Sequence, residues 1–120
     1  MSVTVALAQI NSTVGDLGGN SARFVEAASR AAVAGADILL TPELSLVGYP
    51  PEDLLLRQSF YAKSHDALRQ LARQLAVFKD LHVIVGHPLR DANGSQYNAA
   101  SVLIEGEVVH TYRKHALPNY

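Results

Sequence analysis

The feature that most constrains the fold is a short apolar run, Asp37-Ile38-Leu39-Leu40, which is followed closely by Pro42. A continuous aliphatic run predicts a strand that is buried on both faces of a sheet. Proline cannot donate to a sheet ladder, so we predict that this strand ends near Pro42. Glu43 then lies at a strand end beside the irregular segment 48–51. It is a candidate acid or base, and the alternative is a partly exposed Glu that pairs with a nearby cation or with helix amides.

Strand and helix patterns alternate along the rest of the chain. A first helix is expected to begin at a cap on Asn20 or Ser21 and to face the core with Phe24, Ala28, Ala31 and Ala32. The predicted elements are a strand over 2–10, a helix to about 35, a strand to about 42, an amphipathic helix over 59–78, a strand over 81–87, a polar loop over 88–96, and a hairpin of strands 97–104 and 108–114 joined at 105–107. This order predicts an α/β layer fold with a mixed sheet.

Composition excludes several classes of function. The chain has 120 residues, of which 48% are hydrophobic, enough for one small domain with a core. Ten Lys and Arg against 11 Asp and Glu give a net charge of −1 without a basic run, so we expect no nucleic-acid partner. No apolar stretch has the length of a bilayer span and no signal peptide is evident, so we expect no membrane partner and a soluble, cytoplasmic protein.

Two stretches carry a resemblance to a known family. The residues from Thr41 to Leu56 closely resemble the general-base segment of the nitrilase-like carbon–nitrogen hydrolases, and those from Tyr112 to Tyr120 are similar to the catalytic-lysine segment. The continuation Gly-Tyr-Pro-Pro-Glu-Asp-Leu-Leu, from Gly48, resembles one branch in particular. That branch is the amino-terminal glutaminase domains of glutamine-dependent NAD synthetases.

The resemblance implies roles for three residues. Glu43 is the implied general base and acid, Lys114 the implied stabiliser of the oxyanion, and Tyr120 an implied contact in the glutamine pocket. The chemistry is coherent, because amide hydrolysis needs a base for the nucleophile and positive charge at the developing oxyanion. The alternatives are a solvated surface charge for Lys114 and a frayed terminal aromatic for Tyr120.

The resemblance also implies the architecture and the partners. Residues 1–120 are interpreted as a partial carbon–nitrogen hydrolase domain, the first half of an α-β-β-α sandwich that ends before the nucleophile segment. The complete protein is expected to hydrolyse glutamine and to pass ammonia to an attached carboxyl-terminal NAD synthetase domain. ATP and magnesium are the cofactors expected for that domain, and none is expected in this part. A half sandwich leaves sheet surface uncovered, so we expect a homo-oligomer.

The absence of cysteine has two consequences. It excludes disulfides and thiolate metal sites. The family uses a cysteine nucleophile, so we expect the 120-residue chain by itself to have no glutaminase activity. Two alternatives stay open, namely another amidase or nitrilase of the superfamily, and a catalytically dead folding or assembly module.

Other candidate sites are weaker. The five His lack zinc-site spacing, so no metal site is predicted. The stretch from Asp16 to Gly19 lacks a phosphate-binding fingerprint, so a flexible connection is expected there, and a doubly wound nucleotide-binding domain is disfavoured. Asn98 is expected to be structural, bonding loop backbone near the site.

Overall fold

The computed structural model of the protein describes residues 2–49 and 57–116, with side chains described as far as residue 114. The elements are β1 (Val5–Leu7), α1 (Leu17–Val33), β2 (Ile38–Leu40), α2 (Gln58–Gln74) with a 3-10 turn at Leu75–Val77, β3 (His82–Arg90), β4 (Gln96–Ile104) and β5 (Glu107–Ala116). The strands form one mixed sheet in the order β1-β2-β3-β4-β5, in which β1, β2 and β3 are parallel and the later pairs antiparallel. The predicted α/β class and element order are confirmed. No helix in the described ranges is long and apolar enough to cross a bilayer.

Both helices contribute to one core that covers one face of the sheet. The core is built from the inner sides of α1 and α2 and from alternate strand residues, including Phe24, Ala28, Leu39, Leu68, Leu71, Val83, Val85 and Leu103. The described residues leave the opposite face open, and the strand residues exposed there include Leu7 at 75% and Leu40 at 40%. The prediction that β2 is buried on both faces is therefore wrong for this structure. Leu39 packs under the helices, whereas Leu40 points away from them.

We expect the chain to associate with itself through this open face. Apolar side chains are exposed there, namely Val3, Val5, Leu7 and Leu40. Burial of apolar surface stabilises an association by about 25 cal/mol for each Å² removed from water. Sedimentation velocity across a concentration series should show a rising mean mass, and Leu7→Lys should shift the rise to higher concentration. A clean monomer of the unmodified chain at high concentration would contradict the expectation.

The start of α1 differs from the prediction. The helix begins at Leu17 and Asp16 caps it, with the carboxylate accepting from the Gly19 N–H at 3.0 Å. A capping side chain normally satisfies the free N–H of the first turn, and Asp16 does this one turn before the expected cap. Asn20 is therefore inside the helix, and the segment expected to be a flexible connection is its first turn. Ala32 is exposed and does not face the core.

The antiparallel half of the sheet differs from the prediction at one position and agrees with it at another. The expected loop over 88–96 is wrong at its start, because β3 continues to Arg90 and pairs Pro88 with Asn98. The pairing of β2 with β3 ends at Ile84, so Pro88 lies where the strand has one neighbour, and its missing N–H costs no ladder bond there. The predicted hairpin is confirmed. Its two turn residues, Glu105 and Gly106, have φ of 52° and 82°, as a type I′ turn requires.

Candidate functional site

Glu43 lies on a tight turn directly after β2. Thr41 extends the strand by one residue, since its N–H and its hydroxyl both donate to the Ile84 carbonyl, at 3.2 and 2.7 Å. The chain then folds back on itself, with the Gly48 N–H donating to the Leu44 carbonyl at 3.0 Å. Leu44 has φ of 52°, an uncommon value for a residue with a side chain. The turn is therefore held by its surroundings rather than by local preference.

Gly86 on β3 allows this turn to lie against the sheet. A Cβ at residue 86 would be 2.6 Å from the Pro42 carbonyl oxygen and 2.7 Å from the Leu44 nitrogen. The Leu46 N–H donates to the Gly86 carbonyl at 3.1 Å, so the turn is also bonded to the strand. Our sequence reasoning missed Gly86. The available signal was a glycine inside a β-branched strand, which often marks close approach of another backbone.

Lys114 reaches the same place from the far end of the sheet. The register of β4 with β5 shifts so that Asn98 pairs with His115 and Ala99 pairs with Arg113, which leaves Lys114 as an extra residue in β5. Such bulges re-aim side chains near the rims of sheets. The Lys114 Nζ is 3.7 Å from the Glu43 Oε2, and the two side chains are 42% and 43% exposed. The structure thus brings the two sequence-predicted residues together.

The exposure of this pair bears on its role. An exposed ion pair contributes at most about 1 kcal/mol to folding, so fold stability gives little reason for this arrangement. A half-exposed carboxylate beside an ammonium can exchange protons with a solute and can offer positive charge to an oxyanion. The described residues contain no group of three His, Cys, Asp or Glu side chains that could hold a metal ion.

Of two further residues singled out from the sequence, one lies outside the described residues and the other lacks the expected bonds. Tyr120 lies outside the described residues, as does the segment 50–56, so the structure does not place the predicted substrate contact. Asn98 is fully buried, but its carboxamide nitrogen and oxygen have no hydrogen-bond partner within the described part of the chain. The expected bonds from Asn98 to loop backbone are therefore not found there.

His87 is a buried polar residue that sequence reasoning considered only as a metal ligand. Its Nδ1 is 3.1 Å from the Pro88 carbonyl oxygen, which can only accept, so Nδ1 carries the proton. Its Nε2 is 2.7 Å from the Ser101 hydroxyl, which in turn is 2.7 Å from the Thr111 hydroxyl. Burial lowers the pKa of His87, the bond to Pro88 opposes that shift, and the nearby His65 adds to it.

The lowered pKa of His87 predicts a loss of stability in acid. As pH falls below about 6.5, the unfolded chain binds a proton at His87 that the folded chain resists. The free energy of unfolding should then fall with decreasing pH, by at most about 1.4 kcal/mol per unit from this group, until the pH passes the folded pKa. Urea titrations at several pH values measure the free energy of unfolding, which should change less steeply with pH in His87→Gln than in the unmodified chain. The control His110→Gln, at an exposed position, should keep the original slope of free energy against pH. Equal slopes in all three proteins would refute the assignment.

The sequence of the chain is similar to those of known proteins. The model of the carbon-nitrogen hydrolase family matches residues 4–120. The chain is 44% identical over 116 residues to the glutamine-dependent NAD(+) synthetase of Thermotoga maritima, with 97% of the chain and 20% of the relative covered. It is 40% identical over 119 residues to that of Acinetobacter baylyi, with 99% and 21% covered. The chain thus spans about a fifth of the length of the curated relatives it matches.

Solved structures agree with these matches. A glutamine-dependent NAD(+) synthetase from Cytophaga hutchinsonii superposes with a TM-score of 0.87 at 28% identity, with 99% of this chain and 20% of that chain covered. An amidase from Nesterenkonia sp. superposes with a TM-score of 0.77 at 26% identity, with 98% and 44% covered. The mixed sheet with its helices is therefore that of the first part of nitrilase-superfamily structures.

Proposed function

Because this chain belongs to the carbon–nitrogen hydrolase family, we propose that Glu43 and Lys114 are the base and the oxyanion-stabilising cation of a glutamine-hydrolysing domain. The observation that carries the proposal is the 3.7 Å approach of the two side chains, which come from a turn after β2 and from the bulge in β5. The curated relatives support glutamine as the substrate, since they are glutamine-dependent NAD(+) synthetases.

The proposed chemistry assigns each residue a step. Glu43 takes the proton of a thiol nucleophile and passes it to the leaving ammonia, and it then activates water against the thioester. Lys114 supplies positive charge to the tetrahedral intermediate. Tyr120 contacts the amino-acid end of glutamine. A cysteine nucleophile fits a solved relative, since a mutant of the amidase from Nesterenkonia sp. AN1 shows the addition of acrylamide at its active-site cysteine.

The proposal extends to the partners of the domain. We propose that the ammonia passes to an attached carboxyl-terminal NAD synthetase domain in the cytoplasm, and that ATP and magnesium act there. The 120-residue sequence contains no glycine-rich phosphate-binding loop. Its described residues contain no group of three His, Cys, Asp or Glu side chains that could hold a metal ion. Since the 120 residues contain no cysteine, the chain by itself should release no ammonia from glutamine.

A chimaera tests the proposal. This chain would replace the matching N-terminal region of the Thermotoga maritima synthetase, to which it is 44% identical. We expect the chimaera to form NAD with glutamine as the nitrogen source. Ammonia as the source is the internal control, because it bypasses the hydrolase and reports only on the synthetase. NAD formation from ammonia without any from glutamine would reject the proposed function.

A second candidate is an amidase of the same superfamily that acts on another amide. The superposition on the Nesterenkonia amidase, with a TM-score of 0.77, favours it. A panel of small aliphatic amides, given to the chimaera, distinguishes the two. Ammonia release from such amides but not from glutamine supports the second candidate, and no release from any substrate supports a catalytically dead assembly module.

A further inference from the structure

Asn20 is a fully buried polar residue within α1 whose side chain bonds two other segments. Its carboxamide oxygen accepts from the Thr13 N–H at 2.8 Å and from the Arg23 guanidinium at 2.9 Å. Its carboxamide nitrogen donates to the Thr13 carbonyl at 2.8 Å and to the Leu46 carbonyl at 3.0 Å. Both donors and both acceptor positions are thus used, which is the complete capacity of an Asn side chain.

The bond to Leu46 reaches the turn that carries Glu43. The N–H of Leu46 is held by β3 through the Gly86 carbonyl, and its C=O is held by Asn20. Both backbone polar groups of Leu46 are therefore fixed, one by the sheet and one by α1. Leu44, between Glu43 and Leu46, has a positive φ that persists only where neighbouring contacts impose it.

The bonds to Thr13 extend this support to the loop between β1 and α1. The loop lies on the same turn, since the Ser12 hydroxyl donates to the Ser45 carbonyl at 2.6 Å and the Gly15 N–H donates to the Val47 carbonyl at 2.8 Å. Asn20 therefore connects the loop and the turn to a helix that is anchored in the core by Phe24.

We propose that Asn20 is a positioning residue for Glu43, which acts through the turn and does not contact the substrate. The inference rests on the role proposed above for Glu43. Without the carboxamide, the Leu46 carbonyl and the Thr13 N–H lose the bond that Asn20 makes to them. The Thr13 carbonyl keeps the Asp16 N–H at 3.1 Å, so the loop stays attached to α1 while the turn loses a restraint beside Leu44. The Glu43 carboxylate then no longer stays beside Lys114.

Cross-linking of the 120-residue chain tests the proposal without any need for catalysis. A water-soluble carbodiimide joins a carboxylate and an amine in contact as an amide, with loss of water to the reagent, and peptide mass spectrometry measures the Glu43–Lys114 product. We expect Asn20→Ala and Asn20→Asp to lower this yield about fivefold. The Asp variant keeps the acceptor for Thr13 but loses both donors. Amide exchange at Leu46 should become about tenfold faster in both variants, with little change at Val83 in the core.

A matched control separates positioning from general stability. Leu71→Ala removes core contacts of α2, so it should lower the melting temperature while the folded protein keeps the original cross-link yield. Unchanged yield and unchanged Leu46 exchange in the Asn20 variants would overturn the inference. If Asn20→Ala does not fold, Asn20→Asp decides. A missing cross-link in the unmodified chain refutes the Glu43–Lys114 pair instead, and Leu46 exchange then still decides the role of Asn20.

Discussion

In the chimaera, Glu43→Gln should lower glutamine-dependent NAD formation by about 10²- to 10⁴-fold, which is the usual contribution of a general base. The new Gln side chain has nearly the shape of the Glu43 side chain, so the turn after β2 is preserved. Its amide cannot take a proton from the nucleophile. NAD formation from ammonia should stay at the original rate, because that route needs no hydrolysis. The ratio of the two rates is the measurement.

Lys114→Met should give a loss of about 10²- to 10³-fold in the same ratio, the cost of removing one oxyanion-stabilising group. The chain offers matched controls in Glu107→Gln at the hairpin and Lys63→Met on α2, both at exposed positions. These controls should leave the ratio unchanged. An equal fall in both rates would assign the effect of the Glu43 or Lys114 variant to folding, and two unchanged rates would remove that residue from the mechanism.

A large effect on stability is expected from Gly86→Ala. The new Cβ would lie 2.6 Å from the Pro42 carbonyl oxygen and 2.7 Å from the Leu44 nitrogen, and both are backbone atoms that cannot rotate away. The turn must therefore move off β3, and the bond from the Leu46 N–H to residue 86 weakens. Overpacking of this kind lowers the free energy of unfolding by about 1 to 3 kcal/mol, which urea titration measures.

Gly18→Ala is the control for that substitution. It lies in the first turn of α1, and a Cβ there would meet no atom within 4 Å. Alanine is favoured over glycine in a helix by up to about 1 kcal/mol, so the control should leave stability unchanged or raise it. Of the two Gly→Ala changes, only Gly86→Ala should thus lower the free energy of unfolding. If Gly86→Ala is as stable as the unmodified chain, the close packing of the turn on β3 is wrong. Gly86→Ala should also lower the Glu43–Lys114 cross-link yield, because Glu43 belongs to the displaced turn.

Local sequence signals predicted the elements correctly where the backbone properties of a single residue, such as proline or glycine, fix the structure. The end of β2 before Pro42 follows from the missing N–H of proline, and the hairpin follows from the glycine at its tip. Its connection was expected over 105–107 and is shorter by one residue, because β5 begins at Glu107. The cap of α1 was misplaced because several residues near its start can cap a helix. Only the three-dimensional contacts show that Asp16 does so while Asn20 bonds elsewhere.

The sequence by itself determined the order of strands and helices, the mixed sheet, and the identity of Glu43 and Lys114 as candidates, because these depend on side-chain periodicity, backbone preference and motif wording. The tertiary structure alone decided that the two side chains meet at 3.7 Å, that Gly86 admits the turn, and that Asn20 holds it. It also decided that, within the described part of the chain, β2 is covered on one face. The physical reason is that each of these facts is a contact between segments far apart in the chain, and no local pattern of residues encodes such a distance.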